Sequence, residues 1–179
     1  MAREISATNF EIAGITLGLS TDQDAERVFG PAPAVDTPDH EGARRCYVSA
    51  KGDGTVLELE SWVGTLIRFR LESALCESKP SCAQAALVSN KLTTGAGLKL
   101  GLLRKQIVEI LGPPTAIHGS RLTYERSFDR PLTAEEEKRL KEKGGPPWDV
   151  KSVHVDDKIE IVLSNSKVVS IDVLHNETD

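Results

Sequence analysis

The chain has 179 residues, of which 39% are hydrophobic, 27% charged and 4% aromatic, and its formal net charge is −5 at pH 7. This composition is typical of a folded globular protein, and the acidic balance argues against a general nucleic-acid binder. No stretch approaches the roughly 18 consecutive apolar residues of a membrane span, and residues 1–4 begin no apolar signal region. We therefore expect no membrane span and no signal peptide within this sequence.

The first predicted element after the N-terminal segment is a short helix. Its apolar residues Ala25, Val28 and Phe29 have the spacing i, i+3, i+4, which places them on one helical face. Gly30 suits the left-handed position that follows a helix, and Pro31 prevents the helix from continuing.

Two strands are predicted next, at 55–60 and 66–71, because apolar and charged residues alternate in both. The apolar positions, which face the helices in this prediction, are Leu57, Leu59, Ile67, Phe69 and Leu71. The charged positions share the opposite face and place opposite charges across the strand pair. The expected pairs are Glu60 with Arg68 and Glu58 with Arg70.

The second half of the chain shows the same order of elements. Ile107, Ile110 and Leu111 have the helical spacing, and alternating strands are predicted at 158–163 and 168–173.

Residues 126–150 are predicted as an insertion in the second half. Thr133 and Glu136 form a capping box before a helix that runs to about Lys143. Because Leu140 is the one large apolar residue of this helix, we interpret it as a solvated flap rather than a recognition helix.

Matched landmarks in the same order indicate an internal duplication. The pairs are GITLGL at 14–19 with GLKLGL at 97–102, FGP at 29–31 with LGP at 111–113, PAV at 33–35 with TAI at 115–117, and RRCY at 44–47 with RLTY at 121–124. We predict a first repeat unit over 1–80, a linker that is partly strand over 81–96, and a second unit over 97–179. The predicted fold class is α+β, in which two tandem helix-then-antiparallel-strand repeats share one curved antiparallel sheet with the helices packed on one face.

The repeated pattern of Gly-x-x-x-Gly-Leu, short helix, Gly-Pro and strands ending in Tyr resembles the units of the β-lactamase-inhibitor-protein-like fold. It also resembles the related SmpA/OmlA-type outer-membrane-assembly lipoproteins. The resemblance covers roughly 14–71 and 97–174, and it implies an exported bacterial protein without enzymatic activity that binds other proteins through its sheet face or loops. Two features depart from the pattern. The first cysteine is Cys46 rather than one near the start, and the two Trp, two Tyr and four Phe are too few for an aromatic-rich inhibitory surface.

The three cysteines are too few for a disulfide framework and include no Cys-x-x-Cys pair. Cys76 and Cys82 enclose a turn-forming stretch at 77–81, and a bend there can bring the two thiols within bridging reach. The alternative is two free cysteines. A bridge indicates an oxidising compartment, so we predict a periplasmic or secreted protein. Cys46 lies in a predicted strand and is interpreted as a buried structural thiol.

No arrangement typical of catalysis, metal binding or cofactor binding is found in the sequence. His40, His118, His154 and His175 belong to no catalytic or metal-ligand spacing, and we interpret them as surface or satisfied structural histidines. The glycines at 95–101 match neither a dinucleotide-binding nor a phosphate-loop motif. We therefore predict no enzyme, no metal and no cofactor.

The remaining candidate is a binding surface on the outer face of the sheet. Neighbouring carboxylates on alternating strands, such as Glu160 near Asp172, are typical of a solvated face rather than an acid–base pair. Trp62 at a turn and Trp148 in the insertion are candidate interface anchors, or alternatively they cover the sheet edge or the core. The candidate binding residues are Glu58, Glu60, Trp62, Arg68, Arg70, Trp148, Glu160 and Asp172.

These observations predict a non-enzymatic protein of the bacterial cell envelope that binds another protein. The alternative is a small-molecule or envelope-polymer binding protein that uses a groove between the two units. A deep apolar pocket with convergent polar groups would favour that alternative. The identity of the partner and the oligomeric state do not follow from the sequence.

Overall fold

The computed structural model describes residues 5–37, 41–73, 82–142 and 152–178, which form eleven strands and three α-helices. The strands are β1 (Glu11–Ile12), β2 (Ile15–Thr16), β3 (Ala34–Asp36), β4 (Gly42–Ser49), β5 (Thr55–Trp62), β6 (Thr65–Ser73), β7 (Ala83–Ala85), β8 (Ala116–His118), β9 (Arg121–Pro131), β10 (Ser152–Ser164) and β11 (Lys167–Thr178). The helices are α1 (Asp22–Phe29), α2 (Arg104–Leu111) and α3 (Ala134–Glu142), and a 3-10 helix spans Ala7–Phe10.

Nine of these strands form one sheet. Eight of them follow the order β3-β4-β5-β6-β11-β10-β9-β8, with antiparallel neighbours throughout. The short β7 pairs in parallel with β4, and β1 and β2 form a separate antiparallel ribbon. The contact between β6 and β11 joins the first four strands of this order to the last four.

The predicted fold class is wrong, because the protein is mostly β rather than α+β. The helices α1 and α2 have 8 residues each, whereas β9, β10 and β11 have 11, 13 and 12. The described chain is one large antiparallel sheet with short helices, not tandem helix-then-strand repeats with helices packed on one face. The division into units over 1–80, 81–96 and 97–179 stays a prediction.

Polar residues at inward positions explain why the strands were underestimated. Apolar alternation predicts two six-residue strands where β10 has 13 residues and β11 has 12. Asp157 and His175 occupy inward positions beyond the predicted strands, lie opposite each other, and are in hydrogen-bond contact. A polar pair therefore continues the sheet past the point where the hydrophobic pattern ends.

The region predicted as an insertion, 126–150, is part strand and part helix. The strand β9 continues through it to Pro131, and α3 follows. The predicted capping box is present, because the Glu136 N–H donates to Thr133 Oγ1 and the Thr133 N–H donates to the Glu136 carboxylate. Residues 143–151 lie outside the described part of the chain.

The core is one cluster of buried side chains, to which the inward positions of the sheet, α1 and α2 all contribute. Tyr47 of β4 and Tyr124 of β9 are buried, and their hydroxyls donate to the carbonyls of Gly30 and Gly112, at 3.2 and 3.4 Å. These two glycines directly follow α1 and α2, so each helix end is tied to a strand through the core. Other fully buried side chains include Leu57, Leu59, Phe69, Leu71, Ile107, Ile159 and Ile161.

Cys46 forms a disulfide with Cys82, which corrects the predicted Cys76–Cys82 bridge and the predicted free thiol at Cys46. On β4, Cys46 lies between the residues that pair with β3 and those that pair with β7. Cys82 directly precedes β7, so the bridge fastens this short strand to β4. The prediction considered a local turn, whereas sheet pairing joins cysteines 36 positions apart. Cys76 lies outside the described residues.

Candidate binding surface

Charged side chains cover the outer face of the sheet across β5, β6, β11 and β10. The register confirms the predicted opposition of charges between β5 and β6. The observed pairs are Glu58 opposite Arg70 and Glu60 opposite Arg68. The row continues across the sheet, with Asp172 opposite Arg70 and Glu160 opposite Asp172. The structure therefore brings the charged residues of the candidate surface onto adjacent strands of one face.

One inward position differs from the prediction. The register of β5 and β6 shifts between Glu60 and Ser61, and Leu66 rather than Ile67 is fully buried. Such a shift moves the following side chains by one position, which apolar alternation alone does not reveal.

Asp172 is the centre of this outer ion-pair network. Its carboxylate accepts hydrogen bonds from Arg68 Nε and Nη2 at 2.7 and 2.5 Å, and from Arg70 Nη2 at 2.8 Å. Burial would raise the pKa of Asp172, but the hydrogen bonds and charges of the two arginines outweigh it and hold the pKa below its usual value. Asp172 therefore stays charged and fixes both guanidinium groups on the sheet.

The charges that flank Asp172 are paired as well. Glu60 accepts from Arg44 Nε at 3.1 Å and lies 3.8 Å from Arg68 Nη1, while Glu160 lies 3.2 Å from Lys158 Nζ. The depression between the side chains of β4, β5 and β6 is small, about 60 Å³. The outer face is therefore a mutually neutralised surface and not a pocket.

Trp62 is the last outward-facing residue of β5, directly before the turn to β6. Trp62 is 42% exposed, the adjacent Val63 is 76% exposed, and Leu19 on a neighbouring turn is 79% exposed. We call these three residues the apolar tip. Trp148, the other predicted anchor, lies outside the described residues. Sequence reasoning missed Leu19 and Val63, for which the signal was a large apolar residue in a turn.

Backbone hydrogen bonds hold the two turns of the apolar tip together. The Gly18 N–H donates to the Leu66 carbonyl and the Leu66 N–H donates to the Ser20 carbonyl, both at 2.8 Å. Val63 adopts a φ of 47°, a conformation that is strained for a β-branched residue. The tip is therefore a fixed surface whose backbone places apolar side chains in solvent.

A second charged group, which sequence reasoning did not single out, lies on the inner face toward the far end of β9, β10 and β11. The Asp157 side chain has no exposed surface, accepts a hydrogen bond from Arg126 Nε at 2.7 Å, and lies 2.6 Å from His175 Nδ1. The other imidazole nitrogen, His175 Nε2, is 3.3 Å from Glu177. His175 is thus a satisfied structural histidine, one of the two predicted roles.

The inner group does not have the geometry of a nucleophilic site. His175 uses both ring nitrogens on carboxylates, which leaves neither to activate a hydroxyl or thiol. Within the described ranges, no cluster of three His, Cys, Asp or Glu side chains has a geometry that holds a metal ion. None of the helices in the described part of the chain has the length and apolar character to cross a membrane.

The groove predicted between the two units has at least two counterparts in the described part of the chain. A depression of about 460 Å³ lies between the N-terminal segment and α2, with Ser6, Asn9, Leu102 and Gln106 in its lining. A second depression, of about 650 Å³, lies between the end of β6 and the turn that joins β10 to β11. Both depressions are open to solvent and mix polar with apolar side chains, so neither is the deep apolar pocket that would favour a small ligand.

Comparisons with known proteins identify no family for this chain. No family model matches the sequence, and no curated protein matches it. A solved structure of a proposed β-lactamase inhibitor protein from Streptococcus mutans is similar at 14% identity and a TM-score of 0.27, over 89% of this chain and 83% of that one. A TM-score this low carries no conclusion about fold or function. The resemblance to the inhibitor-protein-like fold stays a prediction, and the link to SmpA/OmlA-type lipoproteins is unsupported.

Proposed function

We propose that this chain is a non-enzymatic protein-binding module that contacts its partner with the apolar tip and the adjoining outer face. The observation that carries the proposal is the exposure of Leu19, Trp62 and Val63 on two turns that are hydrogen-bonded to each other. Exposed apolar side chains, a tryptophan among them, on adjoining turns are typical of protein interaction sites.

The fixed backbone of the tip favours binding energetically. Burying apolar surface contributes roughly 25 cal/mol per Å², and tryptophan offers a large area for such burial. Because the two turns are already ordered by the hydrogen bonds of Leu66, binding costs little additional conformational entropy.

The outer face supplies orientation rather than affinity in this proposal. Its charges are paired with one another, so a partner gains little net Coulomb energy from any one of them. Arg44 and Glu60, which lie next to Trp62 in the strand pairing, can still reject a partner whose charges do not match.

Addition of a partner strand to β3 or β8 is not the proposed mode. The strands at the two ends of the sheet order, β3 and β8, have three residues each. Pro33 directly precedes β3, and Pro114 lies shortly before β8. Short edge strands and nearby prolines disfavour pairing with another chain.

We also propose that the protein is exported to the periplasm or the medium. The support is the Cys46–Cys82 disulfide, because cytosolic thiols are kept reduced. Thiol titration of denatured, unreduced protein isolated from its native cells is expected to find one free thiol, that of Cys76. Three free thiols would contradict the proposed location.

Photo-crosslinking tests the proposed surface. A photoreactive p-benzoylphenylalanine at position 62 is expected to capture a discrete partner protein in native cells. The matched control carries the same probe at Ile117, which is 50% exposed on β8, and is expected to capture none. With that partner purified, Trp62→Ala should raise the Kd at least about tenfold, as for a central interface residue. Val35→Ala should leave it unchanged. Equal capture at both positions, or an unchanged Kd for Trp62→Ala, would refute the surface.

A further inference from the structure

We infer that the inner charged group is a pH-sensitive latch, which holds residues 5–10 against β9, β10 and β11 and weakens as His175 loses its proton. We call Arg126, Asp157, His175 and Glu177 the latch. The inference rests on contacts between elements distant in sequence and does not depend on the proposed binding function.

The latch contacts the N-terminal segment at both of that segment's ends. Arg126 Nη1 donates to the Ile5 carbonyl at 2.8 Å, and the Arg126 guanidinium lies 5.8 Å from the centre of the Phe10 ring. The Phe10 ring centre is also 5.8 Å from that of His175. Because Asp157 contacts both Arg126 and His175, one buried carboxylate positions the two side chains that hold the segment.

The backbone at Gly18 leaves room for the His175 imidazole. Gly18 has a φ of 78°, and a Cβ atom there would lie 2.6 Å from His175 Cδ2 and 2.7 Å from Nε2. Such distances are far below van der Waals contact, so the imidazole occupies space that only glycine leaves open. The His175 side chain is 17% exposed, which limits the access of water to its charge.

The charges around His175 balance only when it is protonated. Arg130 extends the latch, because its guanidinium bonds both Glu177, at 2.6 Å, and Glu136 of α3, at 2.7 Å. The titratable groups from the packed elements are Arg126 and Arg130 on β9, Asp157 on β10, Glu177 on β11 and Glu136 on α3. Residues 5–10 contribute no titratable side chain. Two arginines and protonated His175 offset three carboxylates, and deprotonation leaves one uncompensated negative charge.

The direction of the pH dependence follows from these contacts. Burial would lower the pKa of His175, but its hydrogen bonds to Asp157 and Glu177 and their charges raise the pKa above 6.5. The stabilisation is therefore fully present below pH 6.5 and is lost as the pH rises through the folded-state pKa. At the acid end, the bond from Arg130 holds the pKa of Glu177 below 4.5, so this carboxylate keeps its charge in mildly acidic solution.

Hydrogen exchange at one backbone amide measures the latch. The Ala96 N–H donates to the Thr8 carbonyl at 3.1 Å, so its protection factor reports whether the segment is in place. We expect this factor, corrected for the intrinsic pH dependence of exchange, to be constant below pH 6.5. It should fall about tenfold for each unit by which folding raises the histidine pKa.

Two histidine variants separate the latch from a general effect of pH. His175→Gln keeps a hydrogen-bond donor but cannot titrate, and it should make the protection factor independent of pH. His154→Gln is the matched control, because His154 Nδ1 also lies 2.8 Å from a carboxylate, that of Asp129, but on the solvated outer face. In His154→Gln, the protection factor should still fall with rising pH, as it does in the wild-type chain. A wild-type factor without a fall, or a fall that survives in His175→Gln, would overturn the latch.

An NMR titration of the wild-type chain covers the case in which His175→Gln does not fold. The Ile5 methyl resonance should shift with the same midpoint as the His175 ring resonances. A different midpoint, or an Ile5 methyl resonance that does not respond, would overturn the latch.

Discussion

Two carboxylates on adjacent strands, Asp157 of β10 and Asp172 of β11, are each held by arginine on opposite faces of the same sheet. Asp157 has no exposed side-chain surface and shares its charge with Arg126 and His175. Asp172 is 12% exposed and binds two arginines that have further partners among the solvated charges of the outer face. A carboxylate–arginine pair therefore contributes differently to stability on the two faces, because water can replace a lost partner at the exposed pair but not at the buried one.

The two groups also differ in their response to pH near neutrality. Asp172 and Arg68 keep their charges there, because contact with Asp172 raises the pKa of Arg68, and the two arginines outweigh burial and lower the pKa of Asp172. The inner group contains His175, a residue type that titrates in this range; burial lowers its pKa, but the contacts with Asp157 and Glu177 outweigh burial and raise it above its usual value. Near neutral pH, the charge of the outer network is thus constant, whereas the charge of the inner group depends on pH.

The largest expected effect comes from removing one arginine on each face. Arg126→Met removes one of the two counter-charges of the fully buried Asp157 and should lower the free energy of unfolding by about 3–5 kcal/mol. Arg68→Met should cost about 1 kcal/mol or less, because Asp172 keeps Arg70 and reaches water. Urea unfolding at pH 7 measures both. Equal losses would show that burial does not distinguish the two carboxylates.

A substitution at Gly18 tests the close packing of the inner face. Gly18→Ala places a Cβ against the His175 ring and also forces alanine into a positive φ. The two effects together should lower the free energy of unfolding by about 3 kcal/mol. Gly52→Ala is the control, since Gly52 has a φ of 68° and no atom within 4 Å of the added Cβ. It should cost about 1 kcal/mol from backbone strain alone. In a His175→Ala background, the two substitutions should cost the same, and a persistent excess at Gly18 would exclude His175 as its cause.

The smallest expected effect lies at the solvated end of the inner group. Bonds from Arg130, then from Thr133, lower the pKa of Glu136 to about 2. A lowered pKa stabilises the fold above the ordinary value of 4.5, and this stabilisation is lost as the pH falls through about 2. Glu136→Gln should therefore cost about 1 kcal/mol at pH 7 after allowance for solvent, with the difference shrinking below pH 4.5.

The control for this effect is the neighbouring exposed residue. Glu135→Gln removes a carboxylate from the same first turn of α3, but no bond to Arg130 is lost with it. Its stability loss should be smaller than that of Glu136→Gln at pH 7. Parallel pH profiles for the two variants would show that the helix terminus, and not Arg130, is responsible.

The outer face was largely predictable from sequence, whereas the inner group was not. Alternation in β5 and β6 predicts the opposition of Glu58 to Arg70 because strand pairing repeats every second residue. The same rule expects apolar residues at inward positions and therefore passes over Asp157. Its partner Arg126 lies 31 positions away, and only the pairing of β9 with β10 brings the two side chains together.

The features that could be predicted from the sequence alone are local interactions. The capping box of Thr133 and Glu136, the end of α1 at Gly30 and the charge pairs of the outer face depend on residues close in sequence or on a simple strand repeat. The mostly β architecture and the Cys46–Cys82 bridge became apparent only in the tertiary structure. The same is true of the burial of the Asp157 carboxylate. Each of these depends on which distant strands become neighbours, because pairing energy is gained only between surfaces that meet after the chain has folded.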